Sequence, residues 1–120
     1  MLKIALLTLT LTAEGETRLT LSEMADAETC AKARANVTEI LTQSGTRVLA
    51  ALCGPSDLHL TPFDHGASPK DERFRYRVAL DPAGGFEVTS LGPDATCQPA
   101  PEARPAIHCA RSSQEPLATE

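Results

Sequence analysis

The chain has 120 residues, with 11 Lys and Arg against 16 Asp and Glu and a formal net charge of −5, so no global positive field draws it to nucleic acid or to anionic lipid. Trp is absent and there are three Phe and one Tyr, which leaves Leu, Val, Ile and Ala to build the thin core of one domain. No apolar run reaches the roughly 18 residues of a membrane-spanning helix, and nothing in the sequence calls for a cofactor.

Two readings compete at the N-terminus. A lysine followed by the apolar residues 4–12 resembles a short secretory signal ending at Ala13. Such signals run to about 15–30 residues with small residues before the cut, and Leu11 stands where a small residue belongs. The strict alternation Leu7-Thr8-Leu9-Thr10-Leu11-Thr12 suits a half-buried strand. Residues 17–21 continue it with Leu19 and Leu21 on one face, and Ala13-Glu14-Gly15-Glu16 is the hairpin loop between them.

Asp26 is a good N-cap, and Glu28 follows in the first turn, where a negative charge suits the helix dipole. Cys30, Ala33, Val37, Ile40, Leu41 and Ser44 then recur at helical spacing as one buried stripe, with Lys32, Arg34, Glu39 and Gln43 largely outside it. Glu28 and Lys32 stand in the favourable i, i+4 order, and Gly45 suits the left-handed position that ends a helix. Residues 46–53 read as a short strand that Gly54-Pro55 terminates.

The lengths of these two elements match. The helix rises about 21 Å from Cys30 to Ser44 at 1.5 Å per residue, and the strand returns about 23 Å from Thr46 to Cys53 at 3.3 Å per residue. Cys53 therefore comes back to the level of Cys30, and a disulfide between them is expected in place of two buried thiols.

Residues 54–73 carry Pro55, Pro62, Gly66 and Pro69 and read as a long loop pinned by Leu58, Leu60 and Phe63. Phe74, Tyr76, Val78 and Leu80 alternate with Arg73, Arg75 and Arg77. Asp81-Pro82-Ala83-Gly84-Gly85 is turn chemistry, and Phe86, Val88 and Ser90 alternate again, so residues 73–91 form a β-hairpin. Beyond Gly92-Pro93 the composition shifts to Pro, Ala, Glu and Ser. Cys97 and Cys109 bracket the proline-rich part as a second expected bridge, residues 107–111 offer a short edge strand, and residues 112–120 read as a solvated tail.

The expected fold is an α+β domain over residues 1–96, one helix packed on a mostly antiparallel sheet in the order β-β-α-β-loop-β-β, with residues 97–120 a stapled proline-rich arm. Four cysteines without a C-x-x-C favour an oxidising location, periplasmic or secreted. A retained first strand favours the cytoplasm instead.

No constellation selects a reaction. Asp57, His59, Asp64 and His65 are metal-capable but irregularly spaced, and such loops more often use Asx side chains for turns. His108 with Cys97 and Cys109 is a second weak ligand set. Cys30, in the first turn of a helix, is a weak nucleophile candidate because its stripe is buried. Gly84-Gly85 precedes a strand and not a helix, so it cradles no phosphate. Arg73, Arg75 and Arg77, next to Tyr76, form a small basic ladder suited to an acidic protein patch. The expected function is a small non-catalytic binding or accessory module with an unidentified protein partner. The alternative is a small metal- or thiol-dependent enzyme or sensor using the loop of His59 and His65 or the cysteines.

Overall fold

The alternating N-terminal run becomes the central strand of a three-stranded ladder. β1 (Lys3–Leu11) pairs on one side with β2 (Thr17–Glu23) and on the other with β3 (Arg47–Ser56), which follows helix α1 (Ala27–Gln43). β4 (Phe74–Leu80), β5 (Phe86–Leu91) and β6 (Ala106–Ser112) make a second ladder. The two join into one six-stranded sheet in the order β3-β1-β2-β6-β4-β5, curled into a half-barrel. All neighbours are antiparallel except β2 and β6, which run parallel and pair only at Thr17 with Ala110 and Arg18 with Arg111. The computed structural model describes residues 2–63 and 69–117.

Because side chains alternate along a strand, each strand sends one set of residues into the curl. Leu7 and Leu9 face Leu21 and Leu19, Tyr76 faces Ala110, and Val78 faces Val88. These side chains pack as one buried cluster, and each large one contributes about 1.5–3 kcal/mol on burial. The outer face of β1 carries Leu6, Thr8 and Thr10, also buried, and α1 packs there against β3 and β1.

Local chemistry sets the ends of the helix. The Thr29 N–H donates to Asp26 Oδ1 at 2.7 Å, which holds the Asp26 carboxyl below its ordinary pKa through that bond. At the other end the Thr46 N–H donates to the Leu41 carbonyl at 2.9 Å, and Gly45 takes φ +80°, a conformation that favours glycine.

This architecture corrects the expected α+β layout of five strands and one helix. Among the described residues the chain is mostly sheet, in one curled layer of six strands, and α1 covers only part of one face. Residues 106–112 are not at an edge: β6 lies between β2 and β4, and its Ile107, Ala110 and Ser112 are buried. Residues 113–117, expected as a free tail, are pinned by backbone hydrogen bonds. The Thr61 N–H donates to the Glu115 carbonyl and the Leu117 N–H to the His59 carbonyl, at 2.9 and 2.8 Å.

β3 also runs through Gly54-Pro55 without stopping. The Met24 N–H donates to the Ile4 carbonyl, so Ile4 faces β2 while Lys3 and Ala5 face β3, opposite Ser56 and Gly54. Pro55 then points its missing donor away from the sheet, a place that an edge strand tolerates. Ile40, expected in the buried stripe, is 63% exposed, because a helix at the rim of a sheet is covered only along the narrow band of Cys30, Ala33, Val37, Thr38 and Leu41.

Candidate functional site

Both expected disulfides are formed. Cys30 and Cys53 have Cα atoms 6.0 Å apart and tie the first turn of α1 to β3, and Cys97 and Cys109, also 6.0 Å apart, tie the segment after β5 to β6. Among the described residues no cysteine is free. Zinc ligation or nucleophilic attack through these sulfurs would first require reduction.

The loop residues do not gather. Asp57 is exposed, and His59 Nδ1 lies 2.5 Å from Glu23 Oε2 at the end of β2. Asp64 and His65 lie outside the described residues. Among the described residues no three His, Cys, Asp or Glu side chains approach as a metal-binding group.

The arginine ladder is larger than the sequence suggested, and it is arranged differently. Arg18 on β2 is in register with Arg111 on β6, and Arg111 with Arg75 on β4. Their neighbours Leu19, Ala110 and Tyr76 are in the core, so the three arginines form one row across the convex face of the sheet, with Arg77 next along β4 and Arg73 just before that strand. Like charges on adjacent strands repel, and two carboxylates relieve them. Glu72 pairs with Arg18, and Glu16 accepts from Arg111 Nη1 at 2.5 Å. Arg111 Nε also donates to the Glu72 carbonyl at 3.2 Å.

Arg73, Arg75 and Arg77 are engaged unequally. Arg75 Nη1 donates to the Ala95 carbonyl at 3.0 Å. The exposed Arg73 guanidinium lies 5.8 Å from the centre of the Phe74 ring, a cation–π contact. Arg77 is half-buried opposite Cys109 and, among the described residues, forms no ion pair.

Tyr76 must be removed from this face. It points into the curl with 0% exposure, and its hydroxyl donates to the Gln114 carbonyl at 2.5 Å. Burial, with the charge of Glu115, pushes its pKa up, so it remains a neutral donor.

His108 lies on the same side of β6 as Ala110, at a shallow cleft of about 410 Å³ shared with Glu16, Leu49, Pro99, Pro101 and Arg111. Partial burial lowers its pKa, favouring the neutral imidazole.

Sequence reasoning missed Arg18, Arg111, Glu16 and Glu72 as members of this face. Arg111 stood within a recognised strand, but its neighbours depend on a parallel pairing between segments far apart in the chain, which no local pattern encodes. The chain matches no protein-family model, no curated protein and no solved structure.

Proposed function

We propose that this protein is a small, disulfide-stapled, non-catalytic binding or accessory module of an oxidising compartment, and that its contact surface for an acidic protein segment is the arginine face. The observation that carries this reading is the row Arg18–Arg111–Arg75, with Arg77 next along β4 and the exposed Arg73 just before that strand. It concentrates cations on one part of a chain whose net charge is −5. Guanidinium groups present planar forks that match carboxylates, and Glu16 and Glu72 already occupy two of them from within the chain. A partner's carboxylates would meet the exposed Arg73 and compete with Glu16 for Arg111. A local patch on an acidic protein favours a short acidic segment over a long polyanion, which the remaining surface repels. The two bridges support the oxidising location.

The test is fluorescence anisotropy with a labelled polyglutamate peptide. Binding is expected at about 0.02 M salt and loss of most of it at about 0.3 M, where the screening length is short. Arg73→Glu should weaken binding about tenfold, a change of about 1.4 kcal/mol. Glu16→Gln, which frees Arg111, should strengthen it severalfold. No binding at low salt, or binding indifferent to both substitutions, would overturn the proposal.

A further inference from the structure

The segment joining β5 to β6 crosses the arginine face, and its path is set by three fixed points. Leaving the edge strand at Leu91, the chain first meets β4, where Ala95 accepts from Arg75. It next meets β6, where Cys97 is bonded to Cys109, a residue in register with Arg77. It then drops into the plane of the sheet, where Ala100 and Ile107 exchange both backbone hydrogen bonds, at 2.9 and 3.0 Å. Residues 92–100 are therefore a strap laid over β4 and β6. The strap occupies one hydrogen-bonding arm of Arg75 and passes beside the half-buried Arg77. The same sulfur bond that staples β6 holds part of the cationic row covered.

We infer that the Cys97–Cys109 disulfide is a redox latch on this strap, and that opening it uncovers Arg75 and Arg77 for an acidic partner. The inference rests on the reading of the arginine face as the contact surface. The two bridges differ in access. Cys30 is fully buried and Cys53 half-buried, whereas both sulfur-bearing residues of the second bridge, Cys97 and Cys109, are only half-buried, so a thiolate has a route to either end of that bridge and to one end of the other. The reductant is a dithiol. One of its thiolates attacks a sulfur of the pair, the Cys97–Cys109 bond breaks, and the second thiol closes the reductant into its own disulfide. Two electrons pass to the protein, and the two cysteine sulfurs end protonated as thiols. With the bridge open, the strap retains the Arg75–Ala95 bond and the Ala100–Ile107 pair, contacts that solvent or a partner carboxylate can replace.

The experiment compares the wild type, the Cys97→Ala/Cys109→Ala variant, and the wild type treated with a graded dithiol and trapped by alkylation. Hydrogen exchange of residues 92–100 and affinity for the polyglutamate probe are read in each. Mass analysis should show Cys97 and Cys109 alkylated while Cys30 and Cys53 remain bridged. Strap exchange should quicken at least tenfold in the opened forms, and probe affinity should rise at least fivefold. Reduction of Cys30–Cys53 first would overturn the latch, as would an unchanged affinity in a variant that still binds the probe and still loses binding with Arg73→Glu. A strap that opens in a protein that binds the probe in neither state would overturn the contact surface itself.

Discussion

Replacing Gln114 with Ala should destabilise the domain far more than its place near the chain terminus suggests. Gln114 is 1% exposed, and its side-chain amide behaves as a missing strand residue. Oε1 accepts from the Leu21 N–H at 2.9 Å, and Nε2 donates to the Leu21 and Thr61 carbonyls at 2.9 and 2.8 Å. Truncation leaves three main-chain groups without those partners. At about 1 kcal/mol for each group left unsatisfied, the low end of the usual cost, the loss is about 3 kcal/mol. For a domain of this size that corresponds to a fall of about 10 °C in Tm. Urea unfolding followed by circular dichroism should show the midpoint lowered by about 2 M at an unchanged slope. Gln114→Glu tests the chemistry further. Its buried carboxyl has a raised pKa in the fold, so the penalty is greatest at neutral pH and shrinks as the pH falls through that raised value and a donor returns. A loss below about 1 kcal/mol for Gln114→Ala would mean that Leu21 and Thr61 find other partners, and the clamp argument would be wrong.

Intact mass without reductant should be lower by about four hydrogens, two for each bridge, and four alkylatable thiols in the folded protein would refute both bridges. Substituting Cys30 and Cys53 together by Ala should cost about 3 kcal/mol in urea unfolding, from the loop-closure entropy returned to the unfolded chain. His108 has a folded pKa below its ordinary 6.5. Its share of stability is therefore present above that value and lost as the pH falls through the depressed one, and His108→Gln should flatten the acid side of a stability–pH profile. A Cβ placed on Gly54 would lie 3.2 Å from a Phe86 ring carbon, so Gly54→Val should cost about 1–3 kcal/mol in a thermal melt and recover in part when Phe86→Leu is added.

The parts of the fold legible in the sequence are those whose cause is local. Asp26 and Gly45 mark the helix because a cap and a left-handed turn act within a few residues. The hairpin turn at residues 81–85 is legible for the same reason: Gly84 donates to the Asp81 carbonyl and Ala83 to the Asp81 side chain, both at 2.8 Å. The Cys30–Cys53 bridge follows from two element lengths. What escaped is non-local. Residues 106–112 carry too little apolar alternation to declare themselves an interior strand, because their neighbours are supplied by β2 and β4 from distant parts of the chain. Gln114 is a polar residue in a polar tail until the free edge of Leu21 is known. Arg75 and Arg77 look like a solvated ladder until the strap is placed over them. The arginine face was thus half visible: the β4 members from alternation, and the β2 and β6 members only from pairing.

The position of the two disulfides identifies the weakest junction in the sheet. Each bridge acts within one ladder, Cys30–Cys53 beside β1 and Cys97–Cys109 beside β4. Neither crosses from β2 to β6, where backbone pairing ends after two residue pairs. That junction is held by the leucine cluster, the Gln114 amide, the Tyr76 hydroxyl and the pairs Arg18–Glu72 and Arg111–Glu16. Sub-global opening follows the path of fewest bonds, so the Leu21 amide should exchange faster than the Leu7 amide, which lies inside the long β1 ladders. Equal rates at these two positions would show that the sheet opens only as a whole. Arg18 and Arg111 belong to different ladders yet stand in one row, so a carboxylate that bridges them fastens the junction itself. An acidic partner on this face would then raise the stability of the fold by mass action, and the protection it adds would concentrate at Leu21 and Thr61, where the two halves are least firmly joined.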